Sequence, residues 1–341
     1  MDSICDGKRL SLLGALGELP SFDAPIRVLS TAAEGRDGYV LERLVLDLNG
    51  LEPVPALLAR PRDAAGKLPA VVFNHSHGGF YDVGKRELIE GAPYLQPEPY
   101  AKTLTELGVA ALAIDAWGFG ERRARTESEI FKEFLWRGRS TWGMMVYDSL
   151  RAARYLASRD DIDADRIGTM GMSMGGTMSW WLAALDERIR CCADLCGVAD
   201  YDALIETQAL DRHGIYDEIS GGRRGECSAG FFRCAASLSG IAPGIRAAMI
   251  VENRRRFPAD VRRRFCRNCA VSALSALALA VTGCAPDSRC RESSRQSFFF
   301  DGVREISRLR SKGRHRSALS EKFRKLEYFC LQARFPMLYC N

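Results

Sequence analysis

The hexapeptide Gly171-Met172-Ser173-Met174-Gly175-Gly176 limits what this chain can fold into more than any other stretch. It follows the short apolar run 166–172, with strand character, and opens the apolar run 175–185, with helical character. A serine two residues from a glycine on each side fits a tight strand-to-helix turn, where any side chain at the flanking positions would collide with the backbone. Such a turn lifts the hydroxyl above the sheet edge, and the following helix aims its first N–H groups and positive end at it. Ser173 is therefore the candidate nucleophile. A glycine-rich turn with an incidental serine is the competing reading, and the placement between strand and helix disfavours it.

The surrounding pattern supports a sheet. Residues 39–48 alternate apolar and polar positions, the period of a half-buried strand, and Asn49-Gly50 predicts a two-residue hairpin into a partner strand over 54–59. Residues 69–74 and 109–114 are short continuous apolar runs, as expected of strands buried on both faces. Residues 98–107 predict a helix ended by Gly108. From Trp142 to Ala157 small and apolar residues recur at helical spacing, and 189–197 predicts another strand. An antiparallel start followed by alternating strand and helix means a mostly parallel sheet with helices on both faces.

Two loops at strand ends add chemistry. Asn74-His75-Ser76-His77-Gly78-Gly79 follows the 69–74 strand, where glycine lets a backbone N–H approach a carbonyl closely; Gly78 or Gly79, with the amide of Met174, would form an oxyanion hole. His75 and His77 at i, i+2, without a third ligand, argue weakly for metal. Asp115-Ala116-Trp117-Gly118-Phe119-Gly120-Glu121 follows the next strand, and its Trp117 and Phe119 are expected to line a pocket or to lie in the core.

This order of strand, H-G-G loop, D-x-W-G-x-G loop, long helix and G-M-S-M-G-G turn resembles the α/β-hydrolase superfamily, and within it the dienelactone-hydrolase-like and acetyl-xylan-esterase-like branch. The stretches VVFNHSHGG, WRGRSTWGMMVYDSLRAARYL, DADRIGTMGMSMGG and LDERIR carry the likeness, which runs from about residue 24 to 216. It implies an α/β-hydrolase fold and hydrolysis of a small-molecule ester, thioester or lactone through an acyl-Ser173 intermediate, with no metal or organic cofactor. A peptidase of the prolyl-oligopeptidase-like branch is the nearer enzymatic rival.

The resemblance also implies a catalytic acid and then a histidine after Ser173. Neither family turn is recognisable after Tyr216, so the C-terminal strands of the fold are missing or unrecognisable. His213 with Asp200, and His315 with Asp301, are the candidate base and acid pairs; His315 lies in a cationic stretch that would depress its pKa. Without a base the serine hydroxyl is a weak nucleophile, and a poor catalyst is expected.

Composition divides the chain near the same point. Residues 1–216 carry 24 Lys+Arg against 32 Asp+Glu, whereas 217–341 carry 24 against 11 and eight of the twelve cysteines. The expected organisation is a hydrolase domain over 1–216, truncated at its C-terminal side, and a basic Cys/Arg-rich segment over 217–341. A reading-frame shift or fusion near Asp217 would produce such a break. Cys266-x-x-Cys269 with Cys284 and Cys290 fits a zinc ribbon poorly, because a long apolar insert separates the pairs. No nucleic-acid-binding motif accompanies the positive charge, so a solvated basic stretch is expected, with an anion- or protein-binding tail on a non-enzymatic body as the competing class. The apolar run 270–283 is too short for a bilayer span, and the N-terminus lacks the pattern of a signal peptide; no membrane span and a cytoplasmic location are the expectations.

Overall fold

The computed structural model describes residues 3–195, 197, 201–208, 210, 214 and 247–251. Helix α1 (Ser3–Gly14) leads into β1 (Arg27–Gly35), β2 (Tyr39–Asp47), β3 (Val54–Pro61) and β4 (Leu68–Asn74). A 3-10 turn (Gly84–Arg86), α2 (Glu87–Glu90) and α3 (Tyr100–Glu106) precede β5 (Ala110–Ile114). After a second 3-10 turn (Gly120–Arg122) come α4 (Glu127–Trp136), α5 (Thr141–Ala157), β6 (Ile162–Met172), α6 (Met174–Leu185), β7 (Ile189–Leu195), α7 (Tyr201–Glu206) and β8 (Ala247–Val251). They build one sheet in the order β1-β2-β3-β5-β4-β6-β7-β8, antiparallel through β3–β5 and parallel from β5 onward.

The strands predicted over 39–48, 54–59, 69–74, 109–114, 166–172 and 189–197 are all present, each within a few residues of its expected ends. The continuous apolar runs are buried on both faces because successive residues point to opposite sides. Ala70 and Val72 join the layer beneath α5 and α6, while Val71 and Phe73 join the layer beneath α2 and α3.

Three expectations change. Asn49 and Gly50 do not make a two-residue hairpin: β2 and β3 pair from Leu46↔Val54, and a loop joins them. There Asn49 Oδ1 accepts the N–H groups of Leu51 (2.8 Å) and Glu52 (3.1 Å), and its amide donates to Asp148 at 2.7 Å. The side chain thus ties the loop to α5 and favours it over the tight turn. Strand character continues past Tyr216, because Ala247–Val251 lies parallel to β7 in the register Cys191↔Ala247 to Leu195↔Val251. The third concerns α5, whose buried face is not wholly small and apolar. Asp148 and Arg151 are each 1 % exposed. Arg151 donates to the carbonyls of Leu48, Phe22 and Ala24, closing the open backbone ahead of β1 against the helix.

Asp148 in turn meets Arg122, whose guanidinium also bonds Glu52 and the Asp115 carbonyl and lies 4.0 Å from the Trp117 ring centre. Burial holds the Asp148 carboxyl above its usual range despite this cation. Removing the cation leaves that carboxylate buried with one neutral donor. Arg122→Met is therefore expected to lower stability by about 3–5 kcal/mol, read from urea denaturation of the full chain. A loss below about 1 kcal/mol would show that the pair contributes little.

Candidate active site

Ser173 lies between β6 and α6 with φ 56° and ψ −119°, a left-handed backbone that a serine rarely adopts. Surrounding contacts hold it there: its N–H donates to Leu195 O at 2.8 Å, and its carbonyl accepts Thr177 N–H at 2.9 Å. The residue is exposed, and β6 beneath it is a central strand paired on both sides by β4 and β7. A Cβ at Gly171 or Gly175 would strike the carbonyl oxygen of Asn74, and one at Gly176 would strike Asp194. The glycines are thus required by close backbone approach. They seat the turn directly against the end of β4, and Met174 follows as the first residue of α6, where an N–H has no intrahelical acceptor.

That contact brings the 75–80 loop beside the serine. Gly78 and Gly79 have φ of 53° and 76°. Three of the loop's amides are engaged: Ser76 N–H by the Glu87 carboxyl at 3.1 Å, Gly79 N–H by His77 Nδ1 at 3.2 Å, and Phe80 N–H by the His77 carbonyl at 3.1 Å. The Gly78 N–H has no acceptor among the described residues. Of the two glycines singled out by sequence, Gly78 is the one with a donor to offer.

The two histidines are structural partners of the backbone. His75 is buried, with Nδ1 2.9 Å from the Ser76 carbonyl and Nε2 accepting Ala116 N–H at 3.1 Å. These contacts place the ring proton on Nδ1, and burial lowers the pKa, so the ring is neutral. It ties the loop after β4 to the loop after β5. The His77 ring centre lies 5.0 Å from Tyr81 and 5.2 Å from Phe119, with Nε2 3.4 Å from Glu127 Oε1. No cluster of three or more metal-ligating side chains occurs among the described residues.

Of the alternatives for Trp117 and Phe119, the structure selects the core: both are at most 2 % exposed. Asp115, at the head of their loop, is fully buried. Its carboxylate accepts the N–H groups of Lys85 (2.8 Å) and Glu121 (3.0 Å) and the Lys85 ammonium (2.6 Å). A Cβ at Gly84 or Gly120 would strike this carboxylate, which explains both glycines.

Three polar residues near the site escaped the sequence reading. Glu87 accepts from Ser76 and from Tyr94, whose hydroxyl lies 2.9 Å away. Asp194, on β7 beside the serine turn, accepts Gly197 N–H at 2.8 Å. Its other carboxylate oxygen is buried without a partner among the described residues, and burial raises its pKa to about 7. The candidate bases and acids His213, Asp200, His315 and Asp301 lie outside the described residues, as do the cysteines of the zinc reading. No described helix is long and apolar enough to cross a membrane.

The model of the prolyl oligopeptidase family matches residues 100–221. The chain is 55% identical over 209 residues to "Putative hydrolase YtaP" of Bacillus subtilis (strain 168), covering 61% of this chain and 70% of that protein. It is 32% identical over 106 residues to an uncharacterized 31.7 kDa protein of Escherichia coli, spanning 31% of this chain and a third (33%) of that one. Among solved structures, a "putative acetyl xylan esterase" from Bacteroides fragilis NCTC 9343 aligns at TM-score 0.48 and 20% identity, over 80% of this chain and 65% of that one.

Two outcomes follow for the turn. Gly175→Ala is expected to cost about 1–3 kcal/mol in chemical denaturation, because the new methyl group meets main chain that cannot swing aside. Asp194 should shape the pH dependence of stability. Its folded pKa, about 7, exceeds the unfolded value near 4, so its contribution is complete at acid pH and is lost as pH rises through that window. Asp194→Asn should flatten the fall in unfolding free energy between pH 4 and 7; parallel profiles for the two proteins would refute a protonated Asp194.

Proposed function

This chain belongs to the α/β-hydrolase superfamily, and from that premise we propose that it is a serine hydrolase of carboxylic esters, thioesters or lactones. Its motifs favour the dienelactone-hydrolase-like and acetyl-xylan-esterase-like branch. The observation that carries the proposal is Ser173, exposed in a left-handed backbone above a central parallel strand. A non-glycine residue is kept in that conformation only where its surroundings enforce it, and strain of this kind clusters at functional sites.

In the proposed reaction Ser173 Oγ attacks the acyl carbon. Its proton passes to a base and on to the leaving alcohol or thiol, and the carbonyl oxygen becomes an oxyanion. The N–H groups of Met174 and Gly78 stabilise that charge, with Gly79 shaping the loop. Water then attacks the acyl-serine, returning the free acid and the serine hydroxyl. No metal or organic cofactor takes part. The base would come from His213, with Asp200, or from His315, with Asp301. None of these stands in a family-like turn of the sequence, so turnover is expected to be low. The domain over 1–216 would then be extended by β8, with the remainder of the basic stretch over 217–341 as its appendage.

The match to the prolyl oligopeptidase family favours a second reading, a peptidase using the same serine. A fluorophosphonate probe and two substrates separate the cases. The expected result is labelling lost in Ser173→Ala, slow hydrolysis of p-nitrophenyl acetate, and no cleavage of a prolyl peptide anilide. Anilide cleavage would favour the peptidase. Absence of labelling would favour the non-enzymatic body, and fast Ser173-dependent ester turnover would contradict impairment.

A further inference from the structure

We propose that Glu87 is the positioning residue of the loop over 75–80: its buried carboxyl grips Ser76 and Tyr94 and so fixes where the Gly78 amide points. The inference rests on the proposed role of Ser173 and of Gly78, and concerns a residue outside the sequence motif.

Glu87 is 2 % exposed and is the first residue of α2. Its carboxyl accepts the Ser76 amide (3.1 and 3.2 Å), the Ser76 hydroxyl (3.2 Å) and the Tyr94 hydroxyl (2.9 Å). The first contact holds the Ser76 N–H on the Glu87 carboxyl. The third places the Tyr94 side chain against Gly78, where a Cβ would lie 3.0 Å from its hydroxyl oxygen. Gly78 is thereby confined from two sides: by its covalent link through His77 to Ser76, and by the tyrosine on its own surface.

Among the described residues, no cation accounts for the carboxyl's burial. Lys85 is committed to Asp115 and Glu121, Arg86 to Glu90, and the His75 ring to Ser76 O and Ala116 N–H. A buried carboxyl held only by neutral donors is costly, and an apolar side chain would cost less. What an apolar residue cannot do is hold both the Ser76 amide and the tyrosine hydroxyl. Burial raises the carboxyl's pKa to about 7, with its bonds to Tyr94 and Ser76 opposing the rise.

The test uses the full chain and the variants Glu87→Gln, Glu87→Ala and Tyr94→Phe. With p-nitrophenyl acetate, Glu87→Ala should lower kcat on the order of 10- to 100-fold with KM nearly unchanged, part of the effect of deleting one oxyanion donor. Glu87→Gln, which keeps a carbonyl acceptor for Ser76, should recover most of the loss. In a Ser173→Ala background, the amide resonances of Ser76 and Gly78 should shift with a midpoint near pH 7 and become flat in Glu87→Gln. An unchanged kcat in Glu87→Ala, or amide shifts that ignore pH in the parent, would overturn the proposal. Should Glu87→Ala not fold, the kcat loss in Tyr94→Phe and the flattened titration in Glu87→Gln decide instead. Should the wild type escape fluorophosphonate labelling, the reading of Ser173 fails by itself, and the amide titration still settles whether Glu87 holds the loop.

Discussion

The whole site depends on one close approach: the main chain of Gly171 and Gly175 against the carbonyl of Asn74. β4 and β6 are adjacent parallel strands paired at Asn74↔Gly171, so their carboxyl ends arrive together. With no Cβ between them, the serine turn and the loop after β4 share one rim of the sheet. The strain at Ser173 is tolerable because Leu195 and Thr177 bond its backbone from β7 and α6. A wider gap would relax the turn and separate the hydroxyl from the neighbouring amides. Sheet register, glycine placement and candidate chemistry are therefore one constraint seen at three scales.

Around that rim, buried charge takes the place of simple packing. Asp115 gathers two backbone amides and the Lys85 ammonium, and Arg122 joins the next turn to Glu52 and Asp148. Asp115, Lys85, Arg122 and Asp148 are buried, so each must be satisfied geometrically or destabilise the fold. Such networks tolerate little displacement. Together with the His75 bridge to Ala116, they fix the loop after β5 relative to the loop after β4. Rigid loops are what a preorganised site needs, since donors that reorganise during reaction stabilise developing charge less well.

Much of the sheet was legible because its signals are local. Apolar runs such as 69–74 and 109–114 must be buried on both faces wherever they sit, and glycine at 171 and 175 marks a tight approach whatever its partner. The capping box of α4, with Thr126 accepting Glu129 N–H and Glu129 accepting Thr126 N–H, was also in the sequence as T-x-x-E. It could have located a helix that apolar periodicity left unread. β1 gave no such sign, because nearly all its residues are exposed at the sheet edge and carry no buried period. Asn49-Gly50 misled because a two-residue turn was inferred from local preference, while Asp148, far along the chain, competes for the asparagine. Glu87, Tyr94 and Asp194 were invisible for the same reason. A lone acid or tyrosine has no pattern until the fold supplies its partners.

The loop after β4 shows how such distant partners refine a motif. From sequence, Gly78 and Gly79 are equivalent, since either could present an amide. In the fold they differ because His77 Nδ1 takes the Gly79 N–H and leaves Gly78 without a described acceptor. An imidazole nitrogen that accepts there carries no proton, so its proton must sit on Nε2, toward Glu127. Glu127, which accepts from the Tyr81 hydroxyl at 2.9 Å, is the carboxyl neighbour of that nitrogen, 3.4 Å away. On the proposed reading, the choice of oxyanion donor is made within the loop after β4, by the His77 ring that takes one of its two glycine amides.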